Sequence, residues 1–244
     1  MNIVPIIQAR MSSSRLPGKV MKQALGKTVL QHVIERVASC HNINDVIVAT
    51  SINSDDDIIA KEADRLGVRV HRGSLDNVLD RYYHAAKEAM ADVVVRITAD
   101  CPVIDPHVID RLIQHFTDNV DRNFDYVRGK GFPMGVNAEV FTFSALERSW
   151  NEANIGHEFE HVTPYIYTHP EIFTVELVKN EQDLSHLRLT LDTPEDWLLI
   201  HTIYERLQKS DTQFILLEEI LELFAQEPEL LEINQHIKQK GLGD

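Results

Sequence analysis

Aspartate and glutamate are missing from the first thirty-four residues, although the 244-residue chain carries 38 acidic against 24 basic side chains and a formal net charge of -14. An acidic balance of that size excludes general binding to nucleic acid or anionic membranes, because a phosphate surface demands a net positive field. Cysteine is nearly absent: Cys40 and Cys101 are the only two, and they form no Cys-x-x-Cys spacing. That excludes a disulfide framework, and both read as small buried residues in a reducing compartment. No apolar run approaches the roughly eighteen residues of a membrane span, and no charged start leads into a long apolar stretch. A cytoplasmic protein with neither nucleic acid nor membrane as partner is expected. Proline- and glycine-rich linkers and internal repeats are lacking as well. One domain is therefore expected over 1–244, with a helical C-terminal tail from about residue 205. What the chain does have is a 43% hydrophobic fraction, ample for a core.

Short β-branched runs recur at "IVPII" (3–7), "DVIVAT" (45–50), "VRVHR" (68–72) and "DVVVRIT" (92–98). Each is too uniformly apolar for a strand with one wet face, which predicts buried parallel strands. Helical spacing lies between them: Val29, Val33, Ile34 and Val37 share one face, as do Val78, Leu79, Tyr82, Tyr83 and Ala86. Alternation through about residue 120 predicts an α/β fold with a doubly wound, mostly parallel sheet and helices on both sides. Further strands are expected in "FDYV" and "VNAEVFTF" and near 172–178 and 186–191, with helices near 144–152 and from 194 onward. In such sheets ligands bind beyond the carboxyl ends of the strands.

The stretch "QARMSSSRLPGKV" (8–20) follows the first predicted strand. Small residues at Ala9 and Ser12 to Ser14 allow close backbone approach, and Arg10, Arg15 and Lys19 supply charged donors suited to a triphosphate. "RITADCPVIDP" places Asp100 just past a strand, and "RLTLDTPEDW" places Asp192 before a well-signed helix start at Thr193 and Pro194. Two carboxylates facing a basic loop suit Mg²⁺ with a nucleoside triphosphate. Two other motifs mislead. "GKT" (26–28) lacks the earlier glycine of a phosphate-binding P-loop, with Met21 in its place, and "HEFEH" (157–161) meets Pro164 too soon for a zinc-binding helix. The run "SDDD" (54–57) reads as a helix start capped by Ser54.

Taken together, "IIQARMSSSRLPGKV", "VIVATS", "HRGSLDNVLDRYY", "VVVRITADCPVIDP" and "RLTLDTPEDW" resemble, in that order, the cytidylyltransferase family that includes the spore coat polysaccharide protein SpsF. A more distant similarity extends to the enzymes that make CMP-KDO and CMP-sialic acid. The resemblance implies a three-layer α/β/α sandwich of the nucleotide-diphospho-sugar transferase type, usually dimeric. Gln8, Ala9, Arg10, Ser12, Arg15 and Lys19 would hold CTP, with Thr50, Ser51, Ser74 and Arg96 near the nucleoside and Asp100 and Asp192 on Mg²⁺. Arg10, Lys19 and Asp100 would carry the catalysis. "FPMGVNAEVF" is similar to the family's sugar-contacting block, which assigns Asn137 and Glu139 to the acceptor. The chain departs from the pattern at Ser12, often glycine, and at Asn137, often aspartate.

The implied reaction joins CTP to a sugar acid of the 2-keto-3-deoxy or nonulosonate type, releasing pyrophosphate and a CMP-sugar for surface polysaccharide or glycan synthesis. Positioning and charge neutralisation would supply most of the rate, with no histidine or cysteine nucleophile. One rival is a glycosyltransferase using a nucleotide sugar, against which "ITADCP" lacks the usual Asp-x-Asp. The other is a catalytically idle sugar-nucleotide-binding subunit. Only the first reading predicts pyrophosphate release from CTP.

Overall fold

The computed structural model describes residues 1–208, 213–239 and 241. The chain opens with β1 (Ile3–Gln8), a small hairpin of β2 (Gln23–Ala24) and β3 (Lys27–Thr28), and α1 (Val29–Ala38). There follow β4 (Ile47–Ser51), α2 (Asp57–Arg65), β5 (Arg69–Gly73), α3 (Val78–Glu88), β6 (Val93–Thr98) and α4 (Pro106–Asp118). The second half contains β7 (Tyr126–Lys130), β8 (Glu139–Thr142), α5 (Phe143–Glu152), α6 (Gly156–His161), α7 (Pro164–Thr168), β9 (Val175–Lys179), α8 (Pro194–Arg206) and α9 (Leu217–Gln226).

One seven-stranded sheet runs in the order β5-β4-β1-β6-β8-β7-β9. Only β8 opposes its neighbours; the other pairings are parallel. Along β1, Ile3 and Ile7 enter one core layer with α1, α4, α8 and α9, while Val4 and Ile6 enter the other with α3, α5 and α7. The central strands β1, β4 and β6 are buried on both faces because their side chains meet a helix layer on each side, which is why their sequences do not alternate. The architecture is the expected three-layer, mostly parallel α/β/α sandwich. Among the described residues no helix is long and apolar enough to cross a membrane.

Three expectations need correction. The strand read at 68–72 is β5, the sheet edge, and it is half-exposed rather than buried, because among the described residues no strand pairs with its outer side. The segment 186–191 forms no sheet strand. It runs extended beside the 134 loop, joined by a single bridge between Met134 and Arg188 and by Leu189 N donating to Met134 O at 2.8 Å. Ser54 does not cap a helix either: a 3-10 turn spans Ser54–Asp56, and the buried Asp56 carboxylate turns inward. The apolar face of the tail helix packs on the protein's own core through Leu217, Ile220, Leu223 and Phe224. Of the tail read from residue 205, positions 209–212, 240 and 242–244 lie outside the described residues.

Candidate active site

The carboxyl ends of β1 and β6 open into a cavity of about 800 Å³. Its floor is the loop after β1, and hydrogen bonds close that loop on itself. Gly18 N donates to Met11 O at 3.0 Å, and Gly18 adopts φ +68°, a left-handed turn that glycine makes without strain. Met11 N donates to Asp56 Oδ1 at 2.7 Å, and Asp56 also accepts from the Ser51 amide and hydroxyl. A carboxylate 45 positions downstream therefore fixes the basic loop's path. Positive φ at non-glycine residues is confined, among the described residues, to Leu25, Asn42, Met90, Asn123 and Val162, so Ser12 needs no glycine conformation.

Lys19 leaves this loop in a 3-10 turn and places its ammonium between two carboxylates. Nζ lies 2.6 Å from Asp100 Oδ2 and 2.7 Å from Asp192 Oδ1. Burial works against the lysine's charge, but the paired acids outweigh it and raise its pKa. Burial likewise disfavours the Asp100 carboxylate, and the Lys19 ammonium more than offsets this, holding Asp100 below its ordinary range. Arg15 reaches Asp192 at 3.1 Å. Leu191 N donates to Asp100 O at 2.8 Å, so backbone pairing, rather than adjacent strands of the sheet, brings the two acids together.

Behind Asp192 stands Arg188, almost wholly buried. It donates to Asp192 Oδ2 at 2.9 Å and grips both oxygens of Asp196 at 2.8 Å. Thr193 caps α8 as the helix-start signals predict, and Asp196 adds the return bond of a capping box by accepting from Thr193 N. Asn234, in the C-terminal segment, donates to Arg188 O and Asp196 Oδ1, and Gln239 accepts from Arg188 Nη1 at 2.6 Å. Asn234 and Gln239 are thereby tied to the arginine that supports Asp192.

At the other side of the cavity, Glu139 on β8 accepts from Arg96, Tyr126 and Thr163, and these donors keep its pKa low against the opposing effect of burial. Asn137 spends its amide on Gly129, with Oδ1 accepting from Gly129 N at 3.0 Å and Nδ2 donating to Gly129 O at 2.8 Å. Arg128 lies over the Tyr167 ring, 5.3 Å from its centre, and forms no ion pair with a described residue. The histidine motif lies on α6, where His157 and His161 both line the cavity, but among the described residues no group of three histidine, cysteine or acidic side chains is placed to hold a metal. α6 ends at His161 because Val162 turns to φ 71°, Glu158 accepts from the Asn154 and Ile155 amides, and Glu160 pairs with Arg10 at 3.2 Å.

Of the residues singled out from the sequence, Gln8, Ala9, Arg10, Ser12, Arg15, Lys19, Arg96, Asp100, Asn137, Glu139 and Asp192 share the cavity wall. Thr50, Ser51 and Ser74 do not. Ser51 is held by Asp56, and Ser74 Oγ accepts from Asn77 N at 3.2 Å in the turn before α3. The sequence reading missed Asp56, Arg81, Arg128 and Arg188. Asp56 was concealed within an acidic run, and Arg188 gave a faint signal as a lone cation amid a β-branched stretch.

A basic loop past β1, facing one carboxylate just past β6 and a second held beside it, suits an enzyme that handles nucleoside phosphates. Comparison with known proteins narrows this. The cytidylyltransferase family profile matches residues 4–238. SpsF of Bacillus subtilis is 34% identical over 213 residues, covering 84% of this chain and 87% of SpsF. A cytidylyltransferase structure from Leptospira borgpetersenii is 32% identical with a TM-score of 0.90, covering 98% of this chain and 100% of that one. The 3-deoxy-manno-octulosonate cytidylyltransferase of Geobacter sulfurreducens is 39% identical over 121 residues, 49% of this chain and 47% of that protein. The chain belongs to the cytidylyltransferase family and is a nucleotidyltransferase.

Proposed function

We propose that the protein transfers a cytidylyl group from CTP to a sugar acid, of the 2-keto-3-deoxy or nonulosonate type, in surface polysaccharide or glycan synthesis. The observation that carries this reading is the ammonium of Lys19 held between Asp100 and Asp192. Two carboxylates that converge on one cation, beside Arg10 and Arg15, form a seat for a metal-bound triphosphate. The donor set fits Mg²⁺, which takes one or two carboxylates and completes its shell with water and substrate phosphate. Asp100 and Asp192 would hold it, and bound there it would neutralise phosphate charge.

Arg10, Arg15 and Lys19 bind the triphosphate and stabilise charge on the departing pyrophosphate. An acceptor hydroxyl attacks the α-phosphorus, the bond to the β-phosphate bridge breaks, and the hydroxyl proton passes to water. Arg128, which forms no ion pair with a described residue, is the cation for the acceptor's acid group. Glu139 and Asn137 shape the acceptor side, Asn137 through the turn it holds at Gly129 rather than by a free amide. A homodimer and a cytoplasmic location belong to the same proposal. The assay is pyrophosphate release with each of the four nucleoside triphosphates and a panel of 2-keto-3-deoxy and nonulosonic acids. Release with CTP and one acid supports the reading; transfer from a nucleotide sugar, without release from CTP, refutes it.

A further inference from the structure

Arg188 is 7% exposed and does not line the cavity, yet every nitrogen of its guanidinium has a partner. Nε and Nη2 donate to the two oxygens of Asp196, and Nη2 reaches on to Asp192 Oδ2. Nη1 donates to Gln239 Oε1 and lies 3.3 Å from Met134 Sδ. Helix capping does not call for this residue. Thr193 and Asp196 satisfy the start of α8 by themselves, with Thr193 N donating to Asp196 Oδ2 at 3.0 Å. A buried ion pair is also a poor source of stability beside apolar packing of the same volume.

What the arginine adds is a fixed bearing for Asp192. Asp192 N donates to Asp196 Oδ2 at 2.9 Å, while Arg188 and Arg15 both take Asp192 Oδ2, at 2.9 and 3.1 Å. Oδ1 is left to Lys19 Nζ at 2.7 Å, the ammonium on which Asp100 Oδ2 converges. The far side of the arginine is held by the C-terminal segment. Asn234, 3% exposed and outside the cavity wall, donates from Nδ2 to Arg188 O and Asp196 Oδ1, both at 3.0 Å.

We propose that Arg188, braced by Asn234, is a positioning residue that turns one oxygen of Asp192, Oδ1, toward the cation shared with Asp100. Mg²⁺ demands near-octahedral geometry and keeps several waters, so a carboxylate serves it best through one well-aimed oxygen. Groups that orient a metal-holding side chain change metal affinity about tenfold to a hundredfold when removed. The assignment rests on the metal-bound triphosphate reading above and gives the C-terminal segment a part in it.

The test is Mn²⁺ affinity, read from the paramagnetic resonance signal of the free ion at one fixed CTP concentration, for full-length wild type, Arg188→Lys and Asn234→Ala. Both changes keep the net charge, but lysine cannot span Asp192 and Asp196 as the planar fork does. Mn²⁺ affinity should fall about tenfold to a hundredfold in Arg188→Lys and about threefold to tenfold in Asn234→Ala. Calorimetric binding of metal-free tripolyphosphate should match wild type in both, because Arg10, Arg15 and Lys19 are untouched. Should Arg188→Lys fail to fold, Asn234→Ala must still lose Mn²⁺ affinity. A lowered Tm in variants that hold Mn²⁺ as tightly as wild type would make Arg188 a structural brace and overturn the proposal, as would an equal loss toward metal-free tripolyphosphate. A wild type that holds no Mn²⁺ beyond a protein-free CTP control would overturn the metal-bound triphosphate reading itself, and the proposal with it.

Discussion

Replacing Lys19 with methionine removes the cation between Asp100 and Asp192 while preserving the length of the side chain. Its consequences are unequal for the two acids. Asp192 keeps Arg15 and Arg188, at 3.1 and 2.9 Å, whereas Asp100 loses its only cationic partner among the described residues. The Asp100 and Lys19 side chains are only 23% and 12% exposed, so water repays little of the loss. Breaking a buried pair costs about 3–5 kcal/mol, and with one acid still paired the lower end applies, about 3 kcal/mol. For a chain of this size that lowers Tm by about 6–12 °C. A divalent cation should substitute in part, because the acids that held an ammonium can hold a metal: Mg²⁺ at a hundred times its Kd returns about 2.7 kcal/mol. Thermal melts of Lys19→Met with and without 10 mM MgCl₂, beside Lys19→Met/Asp100→Asn, would measure this. Melting at the wild-type temperature, or no response to Mg²⁺ in the single variant, would refute the argument that this pair is a cation seat. Activity should fall about 100- to 1,000-fold in Lys19→Met, since a charged donor to the leaving group is lost.

Asp56→Asn should weaken CTP binding about tenfold and cost about 1–3 kcal/mol in stability, although Asp56 does not line the cavity, because the Met11 and Ser51 donors lose a charged acceptor; calorimetry and chemical denaturation report the two effects. Gly135→Ala should destabilise by more than about 2 kcal/mol, since Gly135 has φ +92° and a Cβ would meet Leu189 O at 2.5 Å, a backbone clash that cannot relax; urea unfolding measures it. Burial lowers the pKa of His32, so the folded state binds its proton less readily than the unfolded chain. Its contribution to stability is therefore intact above the unfolded value near 6.5 and is lost as pH falls from there toward the lower folded value. Tm should fall less between pH 7 and pH 5 in His32→Gln than in wild type, and identical slopes would refute the assignment.

The central strands were legible because burial on both faces writes itself as continuous β-branched runs, as at "DVVVRIT" for β6. The basic loop was legible because its charges are contiguous. Partners set by long-range geometry were not. Nothing near Asp56 in the sequence marks it as the acceptor for Met11, and the antiparallel insertion of β8 between β6 and β7 depends on sheet order that local pattern does not encode. The segment 186–191 has the composition of a strand, yet the 134 loop takes its hydrogen bonds, with Gly135 allowing the close approach. Ser51 and Ser74 were placed near a nucleoside by motif, whereas their side chains serve Asp56 and the turn before α3.

The most direct test of cytidylyl transfer follows the label of CTP. With [α-³²P]CTP, Mg²⁺ and a reactive sugar acid, the account predicts radioactivity in a CMP-linked sugar, and with [γ-³²P]CTP it predicts radioactivity only in pyrophosphate. Label from the α-position that stays in CTP across the whole acid panel, while a nucleotide sugar donates its glycosyl group or no substrate turns over at all, would contradict it.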